Sequence, residues 1–538
     1  MTSVMGETVE HRRLRAPAEQ GATLVDPPLG LAGELIARNS ALLAGYDCDI
    51  QGRPIKQLAA QARQELVGRA WAYTRTYRNA PQPSLAADTP ILLAGHQPQL
   101  FHPGVWYKNF VLSGLARRHA AVAVNLVIDS DTIKTAGLRV PGGGIERPMI
   151  ENIPFDRSTA EIPYEERPIV DRQCLTTFGD RAGGVLKSTV PDSLLSNFWP
   201  LVAERGRECD NLGLCVAQAR HRQEGLWGAE TLELPQSSIC SLEAFYWFAC
   251  HLLARLPRLW EVYNQSVVEY RRANGVRSTA HPVPDLAAQD VWLEAPFWIW
   301  TADYARRRRM FVCQRGDEIV LSDRGVHELW LPLTPESDAG RAAERLAEYA
   351  ARGIKIRTRA LITTMFARLM LGDLFLHGIG GAKYDQVTDL LISRFFGLEP
   401  PAYMTLTATL RLPPAEQMAR GDDERTLDQH LRELAFHPEH FLNGALNEPA
   451  VSELVSQKRR WISTPATAEN AKLRCREIRR VNQSLQPWLA PLREQLSAQR
   501  QTVAESLRAA RILSSREYAF CFYPEQALQA LLQPALEG

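Results

Sequence analysis

Two short apolar runs organise the first third of the chain. "PILLAG" (Pro90–Gly95) and "AVAVNLVI" (Ala121–Ile128) carry consecutive rather than alternating apolar residues, rich in β-branched side chains. That is the pattern of strands buried on both faces. Between them, Val105–His119 has helical length and few breakers, with Pro103 and Gly104 at its start. Strand, helix and strand within about forty residues predict a βαβ unit of a parallel sheet.

Further along, the extended segments flanking Gly142–Gly144 predict a hairpin. Ser238–Leu256 and Trp260–Arg272 have helical patterning, and "RRMFVCQRGDEIVLS" reads as paired strands. The preceding run Arg306–Arg309 reads as a solvated turn. In Ile354–Gly397 a helix is expected to lead into a glycine-rich loop, with another helix from about Lys383. Pro449–Ala510 is rich in Glu, Arg, Gln and Leu, as in long antiparallel, coiled-coil-like helices.

The expected fold class is α/β: a Rossmann-like parallel sheet core, inserted α+β segments and a C-terminal long-helix element. The expected divisions are an N-terminal helical arm (1–85), the first part of the core (86–154), inserted segments (155–350), the second part of the core with the glycine-rich loop (351–445), long helices (446–512) and a docking tail (513–538).

Composition narrows the function classes. The chain has 538 residues, 45% hydrophobic and 23% charged, an ordinary globular mix long enough for more than one domain. Lys+Arg 62 against Asp+Glu 61 gives a net charge of +1, so no long-range field favours nucleic acid or an anionic membrane. No apolar run is long enough to span a bilayer, and the start has no signal-peptide stretch. A cytoplasmic protein with reduced thiols is expected. The nine cysteines include no CxxC, and Cys209, Cys215 and His221 fit no common zinc spacing, so no metal site is expected.

Three segments carry candidate chemistry. The first is "GHQPQLFHPG" (Gly95–Gly104), at the predicted strand-to-helix turn. The first N–H groups of a helix lack intrahelical partners and favour an anion. Gly95 and Gly104 allow close backbone approach, His96, Gln97 and His102 add hydrogen-bonding groups, and Lys108 adds a charge. The second is "DSDT" (Asp129–Thr132), at the carboxyl end of the next strand, where open parallel sheets bind ligands. Its carboxylates suit a hydroxyl, an amine or Mg²⁺, and suit capping equally well. The third is "HGIGGAKYD" (His377–Asp385), which satisfies neither GxxxxGK[ST] nor GxGxxG.

The segments "GHQPQLFHPGVWYKNFVLSGLA", "VAVNLVIDSDTIK" and "IKIRTRALITTMFARLMLGDLFLHGIGGAKYD" resemble the bacillithiol-biosynthesis cysteine-adding enzymes, the BshC family. The well-matching segments cover about a fifth of the chain. The opening loop is also similar to that of WbqC-like proteins, a shorter family whose later segments do not match. The first resemblance implies a Rossmann-like core with a C-terminal coiled coil and a C–N bond-forming ligase. Such an enzyme joins cysteine or a similar amine to a small polar, sugar-linked acceptor. The matching positions are His96, Gln97 and Gly104 in the first loop and His377, Gly378, Gly380 and Gly381 in the late glycine segment. Taken with the reading of the loops above, catalytic roles are expected of His96, His102 and Asp131, and ligand or cofactor contacts of Gly95, Gln97, Gly104, Lys108, His377, Gly378, Gly380, Gly381 and Lys383. Ser130 and Asp131 fall where the family has its acidic pair. A nucleotide such as ATP or ADP is the candidate cofactor, a small amine or thiol and a polar acceptor the candidate substrates, and the C-terminal helices a candidate homodimer contact. The chain departs from the family pattern on the ligand-facing loops. His96 stands for the commoner Gln, "DSDT" lacks a histidine, and Lys383 stands where an acidic residue is usual. A non-catalytic binding or scaffold protein with the same cleft is the competing reading.

Overall fold

The structure is a computed structural model describing residues 14–133, 135–157, 160–413, 422–442 and 444–537. The first thirteen residues of the N-terminal arm, 414–421 of the expected second core part and the last residue of the tail lie outside them. The chain divides into two compact units: Met1–Val140 with Asn152–Leu410 and Arg516–Gly538, and Pro141–Glu151 with Arg411–Ser515.

In the first unit, the two apolar runs form strands Ile91–His96 and Val122–Val127, paired in parallel. Every residue of the second is buried, which is why neither run alternates. They are the fourth and fifth strands of a six-stranded sheet with the order Thr23–Asp26, Tyr403–Ala408, Leu374–His377, Ile91–His96, Val122–Val127, Leu232–Pro235. All neighbours are parallel except Thr23–Asp26, an antiparallel edge. Counted along the chain, the five parallel strands lie in the order 3-2-1-4-5. Connections therefore leave the Ile91–His96 strand toward one edge and later return to build the other. The reversal falls between Ile91–His96 and Leu374–His377.

The crossover helix, Pro103–Arg118, starts as the sequence predicts, with Pro at its first position. It is buried almost throughout. Trp106 stacks at 4.0 Å on Phe520 of the C-terminal tail, and its indole N–H donates to Glu224 at 2.7 Å. Gly104 is needed for packing: a Cβ there would stand 2.2 Å from the carbonyl oxygen of Ala408 in the neighbouring strand.

A second sheet is wholly antiparallel, with the order Glu328–Leu331, Glu318–Ser322, Tyr304–Arg315, Trp292–Thr301, Ile354–Thr358. This corrects three expectations. Ile354–Thr358 belongs to this sheet, and the parallel sheet resumes only at Leu374. Leu232–Pro235, inside the stretch read as insertion, is an edge of the parallel sheet. Arg306–Arg309 lies in a strand, where Arg307 and Arg359 flank Trp298 at 4.6 and 4.3 Å. The glycine-rich segment is not a loop either. The four-residue strand Leu374–His377 runs into helix Ile379–Leu391, whose first turn contains Gly380 and Gly381. The hairpin Gly137–Gly142 with Met149–Pro154 forms, turning through Gly143 and Gly144 at φ 76° and 81°.

In the second unit, helix Ala471–Leu513 is 43 residues long and packs against Asp422–Phe436 and Pro449–Ser463 around Leu434, Val451, Val455, Val481, Leu485 and Leu489. Trp488 bonds Glu448, while Arg474 bonds the carbonyl of Trp461, so these two helices are antiparallel. Among the described residues no helix is long and apolar enough to cross a membrane.

Replacing Gly104 with Ala forces its methyl into a backbone carbonyl, and overpacking of this kind costs about 1–3 kcal/mol. Denaturant unfolding of G104A should show a lower midpoint with an unchanged slope. An unchanged midpoint would mean the helix start has room that the structure does not show.

Candidate functional site

The strands Ile91–His96 and Leu374–His377 end side by side at the point where the strand order reverses. Their peptide planes are committed to the sheet up to those ends, and the chain leaves each in a different direction, so a crevice is left between the two departures. It holds a cleft of about 380 Å³, the size of a small-molecule site. One wall is Gly95, His96, Gln97, His102, Gly104 and Lys108, and the other is His377, Gly378, Gly380 and Gly381. Ten of the twelve residues singled out in the sequence therefore converge. Asp131 and Lys383 do not line the cleft.

The two helix starts at the cleft differ in what they offer. At Pro103–Arg118 the expected free amides are spent. Pro103 has no N–H, the Gly104 N–H donates to His102 Nδ1 at 3.0 Å, and those of Val105 and Trp106 donate to the His102 carbonyl. The imidazole of His102 thus serves as the helix cap. At Ile379–Leu391 the cap is Gly378, no side chain closes the turn, and the first internal bond is from Ala382 to Gly378. Added Cβ atoms at Gly378 and Gly380 would meet nothing within 4 Å. The amides able to face an anion are those of the second segment, not the first.

Burial removes the charge expected of the first-loop histidines. His96 is pushed down to about 3 by burial and by the Lys108 ammonium, and its Nδ1 lies 3.2 Å from the Gln97 carbonyl. Burial, with Arg516 nearby, takes His102 down to about 4. Both are neutral at physiological pH, so the positive charge in the cleft comes from elsewhere. Lys108 is almost wholly buried and donates to the Gly95 carbonyl at 2.6 Å. Burial and Arg220 lower it to about 7, so it titrates near neutrality. Arg516, whose guanidinium also bonds Thr407 at 2.9 Å, lines the cleft as a second cation.

The "DSDT" segment divides its work outside the cleft. Asp129 accepts from the Ser237 N–H and hydroxyl at 3.0 and 2.5 Å, and burial beside Glu165 raises it to about 7. Ser130 bonds Gln236 at 2.7 Å. Asp131 pairs with Arg307 at 3.1 Å and accepts from Gln97 Nε2 at 3.1 Å. It therefore holds the Gln97 amide in place from behind. Its carboxylate is therefore engaged by the Arg307 guanidinium outside the cleft.

The sequence reading missed the strongest polar cluster of the cleft. Asp385 is fully enclosed and accepts from Thr364 Oγ1 at 2.5 Å, Arg368 Nη1 at 2.7 Å and His377 Nε2 at 2.9 Å. Arg368 and His377 hold its carboxyl well below the usual carboxylate range against the cost of burial. A carboxylate only accepts, so His377 Nε2 carries the proton and Nδ1 presents a lone pair. Burial outweighs Asp385 and lowers His377 itself, leaving the ring neutral. A signal existed in the spacing. Asp385 and Asp389 stand four apart on one helix, and Arg368 bonds both.

A second cluster, His221, Glu224 and Glu233, has the proximity of a metal site, but both nitrogens of its imidazole are taken. His221 Nδ1 meets the Tyr77 hydroxyl at 2.8 Å, Nε2 meets Thr231 at 2.9 and 3.0 Å, and Arg220 bridges both carboxylates. It is a buried ion network.

The two first-loop histidines contribute to the acid sensitivity of the fold. An imidazole that titrates near 6.5 when unfolded but near 3 or 4 when folded binds protons preferentially in the unfolded state between those values. The contribution of these histidines to stability is therefore full above about pH 6.5 and falls as pH drops toward 4. His102→Asn keeps a cap acceptor without a proton site and should make this decline shallower in thermal unfolding from pH 7 to 4. An identical slope would place His102 in a solvated setting.

No protein-family model matches the chain, and no curated protein matches it.

Proposed function

We propose that the chain is a BshC-like enzyme with a Rossmann-like core, joining cysteine or a similar amine to a small polar acceptor through a new C–N bond. The observation that carries the reading is the convergence of "GHQPQLFHPG" and "HGIGGAKYD", nearly three hundred residues apart, as the two walls of one cleft at the sheet's reversal point. These are the segments on which the resemblance rests. The strand order 3-2-1-4-5 supports the Rossmann-like assignment.

The amides of Ile379, Gly380 and Gly381 would hold the anionic part of the acceptor, with Lys108 and Arg516 adding positive charge. The same groups suit the phosphates of ATP or ADP, the proposed cofactor. His96, uncharged, would accept or donate a hydrogen bond rather than supply charge. Nine free cysteines fit the cytoplasmic setting in which such thiol chemistry runs. Homodimerisation through the long helices belongs to the same reading.

The test is incubation of the protein with L-cysteine and amino-sugar-linked acceptors, with and without ATP, followed by mass spectrometry. The reading expects a product with the mass of the two reactants less water, lost in Lys108→Ala. Stabilisation by the acceptors with no product would instead support a binding or scaffold protein.

A further inference from the structure

We infer that His377 is a catalytic base whose Nδ1 takes the proton from the nucleophile attacking in the cleft, with Asp385 as its positioning residue. The inference deepens the C–N bond-forming reading and rests on it for the identity of the nucleophile.

Geometry singles out this nitrogen. Asp385 fixes Nε2 as the protonated one, and Thr364 and Arg368 in turn fix Asp385, so the ring cannot flip without breaking a buried bond to a carboxylate. Phe375 and Tyr403 hold its faces at ring distances of 4.4 and 5.1 Å. Within the described residues Nδ1 has no hydrogen-bond partner, although the side chain is only about 5% exposed. A Cβ on Gly381 would stand 2.6 Å from Nδ1, so glycine at that position keeps the lone pair uncovered.

The other titratable groups of the cleft serve less well. His102 spends its Nδ1 on the helix cap, and Lys108 is tied to a carbonyl. His96 has no carboxylate behind it. Of these, His377 has a buried carboxylate in hydrogen-bond contact, 2.9 Å from Nε2, to stabilise the imidazolium that forms on proton transfer, whereas the carboxylate nearest His102, Glu517, is exposed and 3.9 Å away.

The step balances for an acceptor activated as a phosphate ester or anhydride. The amine lone pair forms the N–C bond, and the C–O bond breaks with its electron pair leaving on the phosphate oxygen beside the Ile379–Gly381 amides. The surplus amine proton moves to Nδ1 and is later lost to solvent.

The test needs no substrate at first. Diethyl pyrocarbonate acylates unprotonated imidazole nitrogens. With the full-length protein at pH 7, peptide mapping should find His377 modified, and Gly381→Ala should cut that modification at least tenfold. Imidazole ¹⁵N NMR of the unmodified protein gives a second measure that needs no variant: His377 as the Nε2–H tautomer with a bare Nδ1. An inert His377, or the opposite tautomer, overturns the inference. Once product is measured, His377→Gln should lower kcat by roughly 10²–10⁴ with little change in KM and remove the acid limb of the pH profile. Product formation undiminished in His377→Gln sinks the base while sparing the C–N reading. A reactive His377 with no C–N product from the wild type sinks that reading and leaves an uncovered base.

Discussion

The structure depends on a topological constraint. Parallel strands cannot be joined by tight turns, so each connection must cross a face of the sheet. When the chain builds outward from Ile91–His96 and later returns to lay Leu374–His377 on its other side, the two departing segments diverge. No side chain has to be excluded to leave a cleft there. The sequence's work is to keep the cleft open and furnish it, which it does with glycines at 378, 380 and 381 and a glycine-flanked first loop.

Charge inside the fold is arranged to hold the walls of this cleft rather than to fill it. Arg368 ties Asp385 and Asp389 to the short helix before the Leu374 strand, and Arg220 ties Glu224 to Glu233 beneath the crossover helix. Each such network would cost several kcal/mol if one partner were removed, because the survivor would be a lone buried charge. Two outcomes follow from the same burial. Arg368 and His377 hold Asp385 ionised, while the imidazoles of His96 and His377 are left neutral. The chemistry of the cleft is therefore set by which side chain has a counterion: His377 has one, and His96 does not.

Much of this was legible in the sequence where local pattern and burial agree. Ile91–His96, the Pro103 helix and Val122–Val127 read correctly because strands buried on both faces and a Pro-started helix leave unambiguous patterns. Leu374–His377 and Leu232–Pro235 are four residues each, too short to show a period, so one was absorbed into a loop and the other into an insertion. Ile354–Thr358 has strand-like alternation, but nothing local says which sheet a strand will join. At the site, the two walls were identifiable from their turn residues. Which helix start would have free amides was not, because the answer turns on one rotamer of His102. That Asp131 would lie off the cleft was not legible for a related reason: its partner Arg307 is about 175 residues away.

The central claim is that the cleft between the His96 and His377 strand ends is where the ligand sits. Gly380 faces open space, so Gly380→Trp can fill the cleft without disturbing the fold. The direct measurement is mass spectrometry of small molecules released from the purified native protein and from this variant. The account predicts a small anionic molecule bound to the wild type and absent from Gly380→Trp at equal folded content. Equal retention by both forms, or none in either, would contradict it.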